Sequence, residues 1–114
     1  MTTLRRLILA LTALACVAIP THAQHRTTFE QITVAASAIG ITTAIHSGMS
    51  ACSVRLETAQ VRWRIDAAPS ATVGTLLEVG DVLTITRAED LGMIKFIRTG
   101  ATSGLLAAWC WSAQ

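Results

Sequence analysis

Side-chain alternation across residues 52–66 constrains this chain more than any other feature. Cys52, Val54 and Leu56 interleave with Ser53, Arg55 and Glu57; Val61, Trp63 and Ile65 interleave with Arg62, Arg64 and Asp66. Successive side chains of a strand point to opposite faces, so this period of two predicts strands with one apolar and one charged face. The apolar set falls on even numbers before Thr58-Ala59-Gln60 and on odd numbers after it. A one-residue shift exchanges the two faces of a strand, so a tight turn or a bulge is expected at residues 58–60.

The rest of the chain after residue 23 reads the same way. Apolar residues seldom recur at helical spacing. Residues 27–35 and 39–45 are rich in Thr, Ile and Val, which favour a pleated, half-buried surface, and both are expected as strands. Further strands are expected at residues 72–77, 82–86, 93–99 and 105–112. The turns between them fall at residues 46–48, 67–70, 79–81 and 100–104, and residues 87–92 form a polar connection with room for a short helical turn. About seven or eight short strands, with turns roughly every 8–12 residues, predict an all-β fold built as a small antiparallel β-sandwich. A small barrel is the alternative.

The N-terminal residues are of another kind. Arg5 and Arg6 precede an apolar run over residues 7–19 broken only by Thr12; Pro20 then stops any helix, and Thr21-His22-Ala23 ends in a small residue. This is the pattern of a secretory signal peptide, expected to be cleaved after Ala23, and the run is too short to span a hydrocarbon core of roughly 30 Å comfortably. A retained membrane or packing helix is the second reading. Cys16 after Leu14-Ala15 resembles a lipidation site, but Ala13 stands where a larger aliphatic residue is usual. The expected organisation is therefore a leader at residues 1–23 and one domain at residues 24–114, exported to the periplasm or beyond. Contact with a membrane is expected only through the leader.

Without the leader, seven basic residues face seven acidic ones. Nucleic-acid binding proteins gather cations to neutralise phosphates. Here Arg55, Arg62 and Arg64 are interrupted by Glu57 and Asp66, and no nucleic-acid partner is expected. Nor is a cofactor or metal: the Cys and His positions lack ligand spacing. Catalysis is not expected either. His46 adjoins Ser47, but a nucleophile needs a base within reach and a third group to orient it. Glu57, Asp66, Glu78, Asp81, Glu89 and Asp90 are flanked by turns or charged strand faces, the usual places for solvated carboxylates. Cys52 and Cys110 form an even pair in an exported domain, so either one disulfide or two buried thiols is expected.

The tryptophans carry the binding expectation. Trp63 lies on an apolar strand face and is expected in the core. Trp109 and Trp111 share one face of the last strand, while Leu106, Ala108 and Cys110 share the other. If Cys110 turns inward to meet Cys52, both tryptophans turn outward. A flat aromatic patch of that kind suits a protein partner or, less readily, a sugar ring. Cover on both strand faces is the remaining alternative.

The segments Thr27-Thr28-Phe29-Glu30-Gln31-Ile32-Thr33-Val34, residues 54–66 followed by Pro69, Thr72-Val73-Gly74, Val79-Gly80-Asp81 and residues 97–103 together resemble small tailed-phage virion-associated proteins. The resemblance covers essentially all of the chain after the leader. It implies a β-sandwich in a capsid or tail, as a decoration or head–tail component. The implied function is non-enzymatic: binding to a capsid or tail surface, or self-association. The chain departs from that pattern at Ala67-Ala68, where a glycine is usual, and in carrying a leader. An exported cell-envelope or carbohydrate-binding module is the alternative function, and the virion the alternative location.

Overall fold

The computed structural model describes residues 25–113. The expected N-terminal helix, its cleavage site and Cys16 lie outside the described residues. Among the described residues no helix is long and apolar enough to cross a membrane.

Seven strands and two single-turn helices follow one another along the chain. They are β1 (Thr27–Val34), α1 (Thr43–His46), β2 (Ala51–Leu56), β3 (Val61–Arg64), β4 (Thr75–Leu77), β5 (Val82–Ile85), α2 (Ala88–Leu91), β6 (Lys95–Arg98) and β7 (Gly104–Trp111). They form a four-stranded sheet in the order β1-β7-β2-β5 and a three-stranded sheet in the order β4-β3-β6. Every pairing is antiparallel. The two sheets make the expected all-β sandwich. Ile32, Val34, Val54, Leu56, Leu106 and Ala108 from the larger sheet meet Val61, Leu77 and Phe96 from the smaller one, and all are buried. Ile41, Met49, Leu91 and Ile94, from connecting segments, complete the core.

The chain passes between the sheets four times, and the steps after β2 and β4, together with the segment after β1, show how the layers are tied. Glu57 still donates its N–H to the Leu105 carbonyl of the larger sheet (2.8 Å), whereas Gln60 already accepts from Thr99 beside the smaller one (3.3 Å). The parity change between residues 56 and 61 therefore comes from a step between sheets. It is not the tight turn or bulge that alternation alone predicts, and β2 and β3 are not paired with each other. Beyond β1, Ala35 accepts from Arg98 (3.1 Å), and Ile39 and Phe96 exchange both backbone hydrogen bonds (2.9 and 2.8 Å), so this segment edges β6. On the opposite side the turn at Glu78–Asp81 carries β4 into β5, and Leu56 binds it twice through its backbone, to Gly80 (2.8 Å) and Asp81 (3.1 Å).

Residues 39–45 are not the expected strand: a single bridge at Ile39 is followed by α1. The reason is local polar bonding. Glu30 Oε1 accepts the Thr42 N–H and Glu30 Oε2 accepts the Thr42 hydroxyl, both at 2.7 Å. The Thr42 carbonyl in turn accepts from Ile45 (2.9 Å) and His46 (3.2 Å). These bonds give the backbone an alternative to a ladder, and they override the β-propensity of Ile41, Thr42 and Ile45. The strand expected over residues 72–77 is likewise confined to Thr75–Leu77, because the Ser70 carbonyl and hydroxyl both take the Val73 N–H (3.3 and 3.0 Å) and hold residues 70–73 as a turn.

Gly104 sits where β7 passes the start of β3. A Cβ there falls 2.6 Å from Val61 Cγ1 and 2.8 Å from the Ala59 carbonyl oxygen. Nothing larger than hydrogen fits without moving backbone. Gly104→Ala is expected to lower the urea midpoint, with a loss of about 1–3 kcal/mol, the usual cost of overpacking.

Cys52 and Cys110 stand directly opposite each other on β2 and β7, both wholly buried, and are joined in a disulfide. The bridge spans 58 residues of sequence. Closing a loop of that size restricts the unfolded chain by about 4 kcal/mol on the entropic account. Oxidised protein should therefore gain the mass of two hydrogens only after reduction, and the reduced form should unfold at clearly lower denaturant. Two thiols alkylated without reductant contradict this.

Candidate functional site: an aromatic outer sheet face

The inward bridge sets the direction of every side chain on the larger sheet. With Cys52 and Cys110 inside, the even positions of β1, β2 and β7 line the core and the odd positions face out. Trp109 is accordingly 38% exposed and Trp111 half-buried, both on the outer face. Phe29 of β1 lies directly opposite Trp109 and is 59% exposed. On the other side of Trp109 stands Ser53, and beyond it Thr84 of β5. Ser53 and Ala51 also face outward yet are only 5% and 6% exposed. Small residues beside large ones directly opposite are shielded in this way. Ser53 Oγ keeps a polar partner in Thr84 Oγ1 at 3.2 Å.

The next row runs Gln31, Ala107, Arg55 and Val82 across the four strands. Arg55 is the one charged side chain that the outward positions of these four strands present, and Val82 is 55% exposed. The face is thus an aromatic ridge of Phe29, Trp109 and Trp111 flanked by small and hydroxyl residues. Such a surface suits burial against another surface, and a single arginine gives it little pull on a polyanion. Phe29 was not singled out from the sequence. The signal was present: Ile32 and Val34 are the apolar even positions of its strand, which leaves Phe29 on the outer side.

Trp63 departs from the expectation of a simple core residue. It packs against the core but is only half-buried, because the sandwich is open at that end. There it lines a groove of about 530 Å³ with Arg64, Ile65, Asp66, Val73, Gly74, Thr75 and Met93. Val73 and Met93 are each 52% exposed. One wall of the groove is anchored by Arg62, whose Nη1 donates to the Gly74 carbonyl (2.8 Å) and whose Nε donates to that of Ala71 (3.1 Å). Gly74 is required there: its φ is +135°, and a Cβ would meet the Trp63 carbonyl oxygen at 3.0 Å.

At the mouth of the groove Arg64 grips Asp66 with two hydrogen bonds, Nε to Oδ1 (2.9 Å) and Nη2 to Oδ2 (2.6 Å). Hydrogen bonding to Arg64 holds the Asp66 carboxyl below the ordinary aspartate range; desolvation opposes this, and the Arg64 charge with the backbone N–H groups of Asp66 and Ala67 adds to it. The pair is therefore intact above the unfolded-state aspartate pKa and is lost only as pH falls through the lower folded value.

His46 ends α1 with its ring against Gly92. Among the described residues no three His, Cys, Asp or Glu side chains gather closely enough to hold a metal ion.

The two aromatic positions should differ sharply in stability cost. Trp109→Ala is expected to cost about 1–2 kcal/mol, since the outward ring is partly exposed but still covers Ser53, whereas Phe96→Ala, fully buried, should cost about 3–5 kcal/mol. Urea unfolding of both variants checks the assignment of faces.

No protein-family model matches the chain, and neither a curated protein nor a solved structure matches it.

Proposed function

We propose that the chain is a non-enzymatic structural module of the phage virion-associated kind, which docks a protein surface through the outer face of its four-stranded sheet. The observation that carries this reading is the ridge of Phe29, Trp109 and Trp111, outward on adjacent strands and in register. Aromatic residues are enriched at the centres of protein interfaces, where charged residues are depleted, and large rigid rings there contribute most of the binding energy. The small residues around the ridge leave a flat surface, suited to a broad protein contact. The sequence resemblance to capsid- and tail-associated β-sandwiches supports the choice of a repeating virion surface as the partner.

A second reading, an exported module of the cell envelope, is favoured by one observation. A buried disulfide between Cys52 and Cys110 belongs to an oxidising compartment, and disulfides are rare in proteins that stay in the cytosol. Genes for capsid, portal or tail proteins beside this one support the first reading; genes for envelope or polysaccharide enzymes support the second.

The double variant Trp109→Ser/Trp111→Ser should retain the circular dichroism of the parent and yet be lost from the particle fraction of a density gradient in which the parent sediments. A folded double variant that still co-sediments refutes docking through this face. Concentration-dependent sedimentation of the purified parent, abolished in the variant, replaces the virion partner with a second copy of the chain.

A further inference from the structure

The groove at the open end of the sandwich is separate from the aromatic ridge and lies on the other sheet. We infer that it is a binding site for a neutral sugar ring, with Trp63 as the apolar platform and the Arg64–Asp66 pair as the hydrogen-bonding edge.

Four observations on this groove converge. Its volume of about 530 Å³ falls within the roughly 300–1,000 Å³ of ordinary ligand sites, which are mostly apolar with a few placed polar groups. Trp63, Ile65, Val73 and Met93 supply the apolar part. An indole gives a flat face on which the C–H side of a pyranose can lie.

The polar part selects the ligand class. Arg64 commits Nε and Nη2 to Asp66. Of the five N–H donors of a guanidinium, three then remain, and the carboxylate, accepting two bonds, keeps about two further lone-pair sites. Donors and acceptors therefore sit side by side in fixed geometry, which is what adjacent hydroxyls need, since each hydroxyl both donates and accepts. The charges of this pair neutralise each other, and Arg62, the cation behind the wall, has its Nε and Nη1 donors taken up by the carbonyls of Ala71 and Gly74, so the edge presents no free cationic fork to a phosphate or a carboxylate. Lys95, beside Arg64 in the register, leaves this balance intact: its Nζ lies near Gly40, on the far side of β6.

The wall is also fixed before a ligand arrives. Arg62 holds the carbonyls of Ala71 and Gly74, and Ser70 and Val73 bond each other through their backbones (2.9 and 3.3 Å). A wall already ordered spares the ligand the cost of ordering it.

The test uses the full chain with cellotetraose, maltotetraose and chitotetraose, each raised to about 10 mM, a range that captures the millimolar affinities of single-ring sites. Amide and indole N–H shifts are followed by NMR. At least one sugar should shift Trp63, Gly74 and Met93 together, with inorganic phosphate giving no such shift. Asp66→Asn and Arg64→Gln should each weaken binding about tenfold, as expected for loss of a charged hydrogen-bonding group, with an unchanged dispersed spectrum. The inference is overturned if no sugar moves these signals in folded protein. It is also overturned if phosphate moves them, if both variants bind like the parent, or if the shifts fall on Trp109 and Trp111 instead.

Discussion

The facing pair Cys52 and Cys110 fixes the molecule. These residues occupy the two central strands of the larger sheet, and their side chains meet inside. Because strand side chains alternate strictly, placing one pair inward places Val54, Leu56, Leu106 and Ala108 inward as well, and turns Trp109 and Trp111 out. A one-residue slip of β7 against β2 would separate the sulfurs and bury the tryptophans. The covalent bond and the hydrophobic pattern therefore specify the same register, an agreement between levels that favours one native state over its neighbours.

The second constraint is closure. Two sheets with apolar inner faces need their edges managed, and here the chain does so by passing from one sheet to the other. The segment after β1 edges β6, the turn after β4 feeds β5, and residues 57–60 step between the layers. Each crossing uses polar bonds that compensate main-chain groups leaving a ladder. Closure also demands close contact, and Gly104 against Val61 and Ala59 is where the layers approach most tightly. The opposite end stays open, and the Trp63 groove exists for that reason.

Much of this was legible in the sequence. The alternation over residues 52–66 gave two strands with correct inner faces, the turn at residues 79–81 was marked by its glycine, and the last strand sorted its cysteine from its tryptophans by parity alone. What was not legible depended on contacts between distant residues. Residues 39–45 look like a strand by composition, and only Glu30, arriving from β1, folds them into a loop and helical turn. The face change at residues 58–60 is visible, but a bulge, a turn and a crossing produce the same shift in parity. Trp63 reads as core because its strand pattern is apolar; whether the end of a sandwich is covered is a property of the assembled sheets. Phe29 joined the ridge only once the pairing of β1 with β7 was known.

Arg62 shows how the open end keeps its shape. Its guanidinium reaches the carbonyls of Ala71 and Gly74, so it grips main chain and ignores what the loop carries outward. A planar fork can hold two oxygens in one orientation, which an ammonium group does not reproduce. The loop's position is thus uncoupled from the identity of Thr72 and Val73. The side chains of Thr72 and Val73 can therefore be exchanged without moving the wall, whose placement is carried by Arg62, the Ser70–Val73 turn and Gly74, a division of labour that leaves the outward positions of the open end free to diversify.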